Sequence, residues 1–294
     1  SKRNKILKKN KKIKNLIDYL LDINYMHEKK NFYKFTELGY DIFTRYYTFL
    51  VPCSYHNYLL NLDKFFSNKF KPKVDRKKNI LGSGITHKRY FYNAISYLRL
   101  KNEKINVVDL GCGNGFFLQT ADSSLNIDKI VGIDLSKISV NDTKKLFIRR
   151  KKTKFFTSDV GNLNAWSKKL DSFINKKEKN IYFFMWFIIH EISEKSKIKI
   201  IKFLKKLKKH YPNSKFVICE LLKNNFKDSK TNVEYSLMPE YQFFHNLSDQ
   251  GILSLKDYNK IFKKTKLKLE KKVLFDNINI KAKNLPSAAI FFLK

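Results

Sequence analysis

With 294 residues, 43% of them hydrophobic and including 26 Phe and 16 Tyr, the chain can bury one large core or two modest ones, which excludes an intrinsically disordered protein. No apolar run reaches the roughly 18 residues that span a bilayer, and the basic N-terminus lacks the apolar core of a signal peptide, so no membrane association is expected. Cys53, Cys112 and Cys219 have no paired spacing, which excludes a disulfide scaffold and fits reduced thiols in a cytoplasmic protein.

The formal charge is +35, from 61 Lys and Arg against 26 acids. Such a balance suits a nucleic-acid binder. The lysines, however, run through the whole chain alongside Asn, Ile, Phe and Tyr, as a general compositional bias does. Only "SKRNKILKKNKKIKN" at the start is dense enough to stand apart. The expectation is weak, sequence-independent RNA binding and no specific nucleic-acid partner.

Residues 1–100 read as a mostly helical region. Ile13, Leu16, Ile17, Leu20 and Leu21 share one helical face. "YKFTELGYDIFTRYYTFL" and the amphipathic "YHNYLLNLDKFF" follow, and the basic "NKFKPKVDRKKN" leads into "LGSGITHKRYFYNAISYLRL". A helical region too small to bury both its faces points to a homodimer. From residue 101 to 294 short β-branched runs alternate with helical stretches: "INVVDL", "KIVGIDL", "KFFTSD", "NIYFFMWFII", "SKFVICE" and "AAIFFLK". This alternation predicts parallel βαβ units. The long segment at 221–255 lies inside that region and is expected to be functional.

The first of these runs leads into Gly111, Gly113 and Gly115 and then a helix, a turn that brings a ligand against a helix N-terminus. A glycine turn alone also fits a nicotinamide-binding domain. Here the next strand ends at Asp134, suited to ribose hydroxyls, and the third at Asp159, suited to an adenine amino group. Together these features resemble the class I S-adenosylmethionine-dependent methyltransferases. The resemblance implies a Rossmann-like α/β domain with a winged-helix-like N-terminal region and S-adenosylmethionine as cofactor. It places Asp109 under the methionine moiety, and Asp134, Leu135, Asp159 and Val160 around the adenosine.

"MWFIIHEISE" puts His190 after the fourth strand, on the side where open α/β sheets bind ligands. It looks like the matching stretch of small-molecule O-methyltransferases, in which such a histidine is the general base, and "KFTELGYDIF" looks like their Thr-x-x-Gly turn. A structural histidine is the plain alternative. Base-methylating enzymes of this fold carry a proline-containing stretch after strand four, which "FFMWFIIHEI" lacks.

The segment "MPEYQFFHNLSDQG" brings a second histidine, His245, from the long 221–255 insertion. Two imidazoles with open positions suit a borderline divalent cation completed by a chelating substrate. The pair resembles the α-keto acid β-carbon methyltransferases, including the phenylpyruvate and 2-ketoarginine enzymes. That resemblance implies a metal (Fe, Ni, Co or Zn) on His190 and His245, a 2-oxo acid substrate methylated at C3, and a place in secondary metabolism. It also sets Ser83 and Gly84 of a Gly-Ser-Gly segment, with Tyr241 and Gln242, near the substrate. Asn246 stands where some members have a further histidine. Glu191, Glu220, Tyr241, Gln242 and a metal-bound water are all open as the base for the C3 proton.

Overall fold

The structure, a computed structural model, describes residues 10–29, 32–44, 49–70, 72–193, 196–223, 238–248, 250–276 and 286–294. The N-terminal part begins with α1 (Lys11–Asp22), whose amphipathic spacing forms one continuous helix and whose first turn is capped by the Asn10 side chain. An antiparallel hairpin of β1 (Met26–Lys29) and β2 (Phe32–Phe35) follows, a pairing absent from the helical reading of this region. The next helix, α2 (Glu37–Thr44), is fixed at its start by Thr36. The Thr36 hydroxyl accepts from the Gly39 N–H at 3.0 Å and donates to the Asn24 carbonyl at 2.9 Å. Gly39 has to be glycine, because a Cβ there would sit 1.9 Å from the Tyr25 carbonyl oxygen. The "YHNYLLNLDKFF" segment breaks into short helices rather than one. They are α3 (Leu50–Cys53), α4 (His56–Leu59) and α5 (Leu62–Phe66).

Two longer helices lead to the sheet. Asp75 caps α6 (Arg76–Thr86) by accepting from the Lys78 N–H, and α7 (Lys88–Lys101) follows directly. Through Tyr90, Phe91, Ala94, Ile95 and Leu98, α7 is packed into one face of the sheet.

The remaining elements alternate as the patterning requires. In chain order they are β3 (Ile105–Leu110), α8 (Phe116–Asp122), β4 (Ile127–Asp134), α9 (Lys137–Leu146), β5 (Thr153–Thr157) and α10 (Leu163–Asp171). Then come β6 (Ile181–Trp186), α11 (Ile189–Ser193), α12 (Lys197–His210), β7 (Lys215–Leu221), α13 (Met238–Leu247), α14 (Leu255–Thr265), β8 (Leu269–Asp276) and β9 (Pro286–Leu293). Seven strands form one sheet in the order β5-β4-β3-β6-β7-β9-β8. β3 to β7 are parallel, and β9 runs antiparallel to both β7 and β8.

Every residue of β3 and β6 is buried, as expected for strands covered on both faces. Ile181, Phe183 and Met185 face a core completed by Trp166, Phe203 and Tyr258. Tyr182, Phe184 and Trp186 face the opposite core with Phe91 and Phe117. The expected strand "NIYFFMWFII" stops at Trp186. Phe187 adopts φ 53°, a left-handed backbone that turns the chain out of the sheet so that α11 can start at Ile189.

The order reverses between β3 and β6, so the crevice outside the C-terminal ends of these strands is the switch point where such sheets bind ligands. The 221–255 insertion is pinned at its base, where Leu222 bridges Leu253. Its middle, 224–237, lies outside the described residues. Its helix α13 packs on the N-terminal helices through Phe244 and Leu247 against Tyr55 and Tyr58.

Candidate active site

The glycine turn after β3 takes the conformation its residues allow. Gly111, Gly113 and Gly115 all have positive φ, at 82°, 52° and 80°, a region that other residues rarely adopt. Gly115 caps α8, and the turn is tied to the next strand by Asp134. The Asp134 carboxylate accepts from the Gly113 N–H and the Ser136 N–H, both at 2.8 Å. Burial raises the Asp134 pKa despite these two donors.

Asp109, at the end of β3, is 1% exposed, and its Oδ1 has no hydrogen-bond partner. Burial, reinforced by Asp134, pushes its carboxyl well above the usual range. A buried acceptor left unpaired is costly, and a cationic amino group placed there would satisfy it. Asp159 is exposed and accepts from the Gly161 N–H, while Val160 is buried and Leu135 is 73% exposed at the crevice rim. The chemistry of these residues suits S-adenosylmethionine: an orphaned acid for an ammonium, an acid for ribose hydroxyls, and the exposed Asp159 beside an apolar edge for the adenine.

Ser83 and Gly84 lie inside α6, and Gly84 reaches the same turn. A Cβ on Gly84 would come within 2.0 Å of the Phe116 ring and 3.2 Å of Asn114 Oδ1, so α6 sits directly on the glycine turn. The close approach explains the glycine. α6 is also joined to α11 by the ion pair between Arg76 and Glu191, a contact with no local signature in the sequence.

On the other side of the crevice, α11 presents His190, which is 5% exposed. Its Nδ1 lies 2.8 Å from Glu220 Oε2, and the other oxygen of Glu220 accepts from the Ile189 N–H. Burial alone would disfavour the imidazolium, but the charge and hydrogen bond of Glu220 outweigh it and raise the His190 pKa. With Nδ1 committed to Glu220, the ring offers Nε2 to a ligand.

His245, on α13, is also 5% exposed, and its ring meets that of His190 edge to face with centroids 4.9 Å apart. The Tyr55 ring lies 6.1 Å from His245 on a further side. The backbone locks the two segments together, since the Gly251 N–H donates to the His190 carbonyl. The separation is compatible with two imidazole nitrogens each about 2.1 Å from one cation, and the Glu220–His190 bond is the outer-shell contact that orients such ligands. Among the described residues, no group of three or more His, Cys, Asp or Glu is arranged to hold a metal ion. The two imidazoles of His190 and His245 are what the chain brings together here.

Of the other substrate candidates, Gln242 is half-buried with its Nε2 unpartnered, and the Tyr241 side chain lies outside the described residues. Glu220 and Glu191, both considered as bases, are already engaged by His190 and Arg76. Sequence reasoning missed His87. Its ring stacks on Phe187 at 3.9 Å, and burial, with His190 and Arg89 nearby, lowers its pKa to about 3, so it stays neutral. A lone histidine in a lysine-rich helix junction gives no local signal.

Comparison with known proteins bears on the fold. Residues 68–210, just under half of the chain, match the family model of the mRNA (guanine-N(7))-methyltransferase domain. No curated protein matches the chain. Among solved structures, an O-methyltransferase family protein from Burkholderia thailandensis superposes with a TM-score of 0.63 at 9% identity, covering 95% of this chain and 82% of that one. Mitomycin 7-O-methyltransferase superposes with a TM-score of 0.61 at 10% identity, over 95% of this chain and 82% of that one. The coverage includes the N-terminal helical region as well as the sheet. The chain thus has the class I S-adenosylmethionine-dependent methyltransferase fold, and within it residues 68–210 are similar to a methyltransferase domain.

Proposed function

We propose that the protein is an S-adenosylmethionine-dependent methyltransferase that methylates C3 of a 2-oxo acid, with a divalent cation held by His190 and His245. The observation that carries this reading is the edge-on contact of the two imidazoles, one of them oriented by Glu220. Bound at the glycine turn, S-adenosylmethionine supplies an electrophilic methyl group. Bound at the histidine pair, an iron, nickel, cobalt or zinc ion supplies Lewis acidity toward the keto oxygen, which acidifies the C3 proton.

The chain's own residues do the positioning. Asp134 and Asp109 fix the donor, and α6 covers the turn through Gly84. In this reading the insertion helix α13, packed on Tyr55 and Tyr58, covers the donor and acceptor. Holding donor and acceptor in line supplies much of the rate. The matched residues 68–210 stop before β7 and α13, so Glu220 and His245 lie outside the part that resembles the mRNA methyltransferase domain.

A second reading is favoured by the His190–Glu220 hydrogen bond taken alone. An imidazole oriented by a buried carboxylate is a general base, and a hydroxyl acceptor would then be methylated on oxygen. Metal analysis of the purified full chain and its His190→Ala and His245→Ala variants separates the two. Loss of bound metal and of activity in both variants supports the cation site. Unchanged metal content, slow turnover in His190→Ala and normal turnover in His245→Ala would leave the O-methyltransferase reading.

A further inference from the structure

The opposite end of the sheet holds a cavity of about 580 Å³ that the methyltransferase site does not use. Its wall includes Lys104 just before β3, Asn180 just before β6, Lys215 opening β7 and Lys294 after β9. All four stand at the end of the sheet away from the cofactor crevice, because β9 runs antiparallel to its parallel neighbour β7. Lys179 and Lys208 complete a set of five lysines around the cavity, and among the described residues of the wall Glu103 is the one acidic side chain.

The way these charges are paired matters more than their number. Glu103 accepts from Lys215 at 2.8 Å. Lys104 and Lys294 are held by Asp128 and Glu270, which stand outside the cavity wall. Among the described residues Lys208 is paired with no carboxylate: its ammonium donates to the Ser214 carbonyl at 3.2 Å and lies 5.8 Å from the centre of the Phe216 ring. It is half-buried, and burial lowers its pKa. A partly desolvated cation without a counter-ion is costly to keep, and its place in the wall of an otherwise basic cavity leaves room for an external anion.

We propose that this cavity is an anion site for a small phosphate-bearing ligand carrying more than one phosphate, bound independently of the methyl donor. The volume lies in the range of small-molecule sites, about 300–1,000 Å³. Lysine is a point-charge phosphate binder. The five lysines line one concavity instead of an extended track with stacking aromatics that a single-stranded nucleic acid needs, so a compact polyphosphate fits better than RNA.

Titration calorimetry of the full chain with pyrophosphate, and separately with ATP, at constant ionic strength tests the proposal. The expected result is saturable binding of one ligand per chain. Lys208→Met keeps the apolar stem and removes the charge, and should weaken binding about tenfold or more. Lys179→Met, on the exposed rim, should weaken it about threefold and guards against a folding defect at Lys208. Lys264→Met, on the exposed face of α14, should leave it unchanged, and affinity for S-adenosylhomocysteine should be equal in all variants. Binding of pyrophosphate but not ATP would identify the ligand as a free polyphosphate, and binding of both as the phosphate moiety of a nucleotide. The proposal is overturned by an absence of saturable binding, by equal loss in all three lysine variants, or by a response to an RNA oligonucleotide alone. These outcomes do not depend on which acceptor is methylated.

Discussion

The rings of His190 and His245 meet edge to face at 4.9 Å, although β7 and the long insertion separate them in the chain. That contact depends on the insertion folding back over the strand ends. It is held there by the Leu222–Leu253 bridge below and by the stacking of Phe244 on Tyr55 above, at 5.0 Å.

Asp134 is expected to dominate donor affinity. Its carboxylate holds the turn through Gly113, and we propose that it also accepts the ribose hydroxyls. Each charged hydrogen bond is worth about 1.5–3 kcal/mol, so Asp134→Ala should weaken S-adenosylmethionine binding tenfold or more by calorimetry. Unchanged affinity in a folded variant would remove Asp134 from the site.

The packing of α6 on the glycine turn makes a second prediction. An added methyl in Gly84→Ala meets the Phe116 ring at 2.0 Å. Forced overpacking costs about 1–3 kcal/mol, and here it also displaces the turn that carries Asn114. Thermal unfolding should show the destabilisation, and donor affinity should fall with it. A variant with unaltered melting and affinity would mean that α6 does not press on the turn.

A pH dependence follows from Glu270, which bridges Lys101 of α7 and Lys294 after β9. Burial raises its pKa somewhat, but the two lysines lower it overall. A lowered carboxylate contributes stability above its unfolded pKa of about 4.3, and that contribution is lost as pH falls through the lower folded value. Glu270→Gln should therefore cost about 1 kcal/mol, or roughly 2–4 °C in Tm, at neutral pH and progressively less below about pH 4. A difference from the parent that grows on acidification would contradict the assignment.

The N-terminal region exposes Ile13, Leu16, Tyr19, Leu38, Leu60 and Phe66, each at least 40% accessible. Apolar surface on this scale marks an interaction face, and we propose that it joins two copies of the chain. Light scattering at micromolar concentration should give the dimer mass, and Leu16→Lys should shift it toward monomer. A monomeric parent protein would refute this.

The parts of this architecture that were legible in the sequence are those whose chemistry is local. "VVDLGCGNG" announces its turn because only glycine accepts the three positive φ angles, and the acids at the ends of β3 and β4 follow from strand length. Even the pairing of His190 with His245 could be anticipated, since both lie in segments that leave strand ends on one side of the sheet. By contrast, β8 was hidden because "LEKKVLFD" is an edge strand whose Lys271 and Lys272 face solvent, which dilutes its alternation. The apolar run past Trp186 concealed α11, whose start depends on the left-handed Phe187. The contacts of His87, Arg76 and Gly84 were out of reach because each is made with a segment remote in sequence.

The most direct test of the central claim is the position of the transferred methyl. The full chain, loaded with iron or zinc, is incubated with methyl-labelled S-adenosylmethionine and either 2-ketoarginine or phenylpyruvate, and the product is read by carbon NMR. The account predicts a label on C3 of the 2-oxo acid, lost after exhaustive chelation, restored by added metal, and absent in His245→Ala. Label on an oxygen atom, or C3 methylation that persists without metal and without His245, would contradict it.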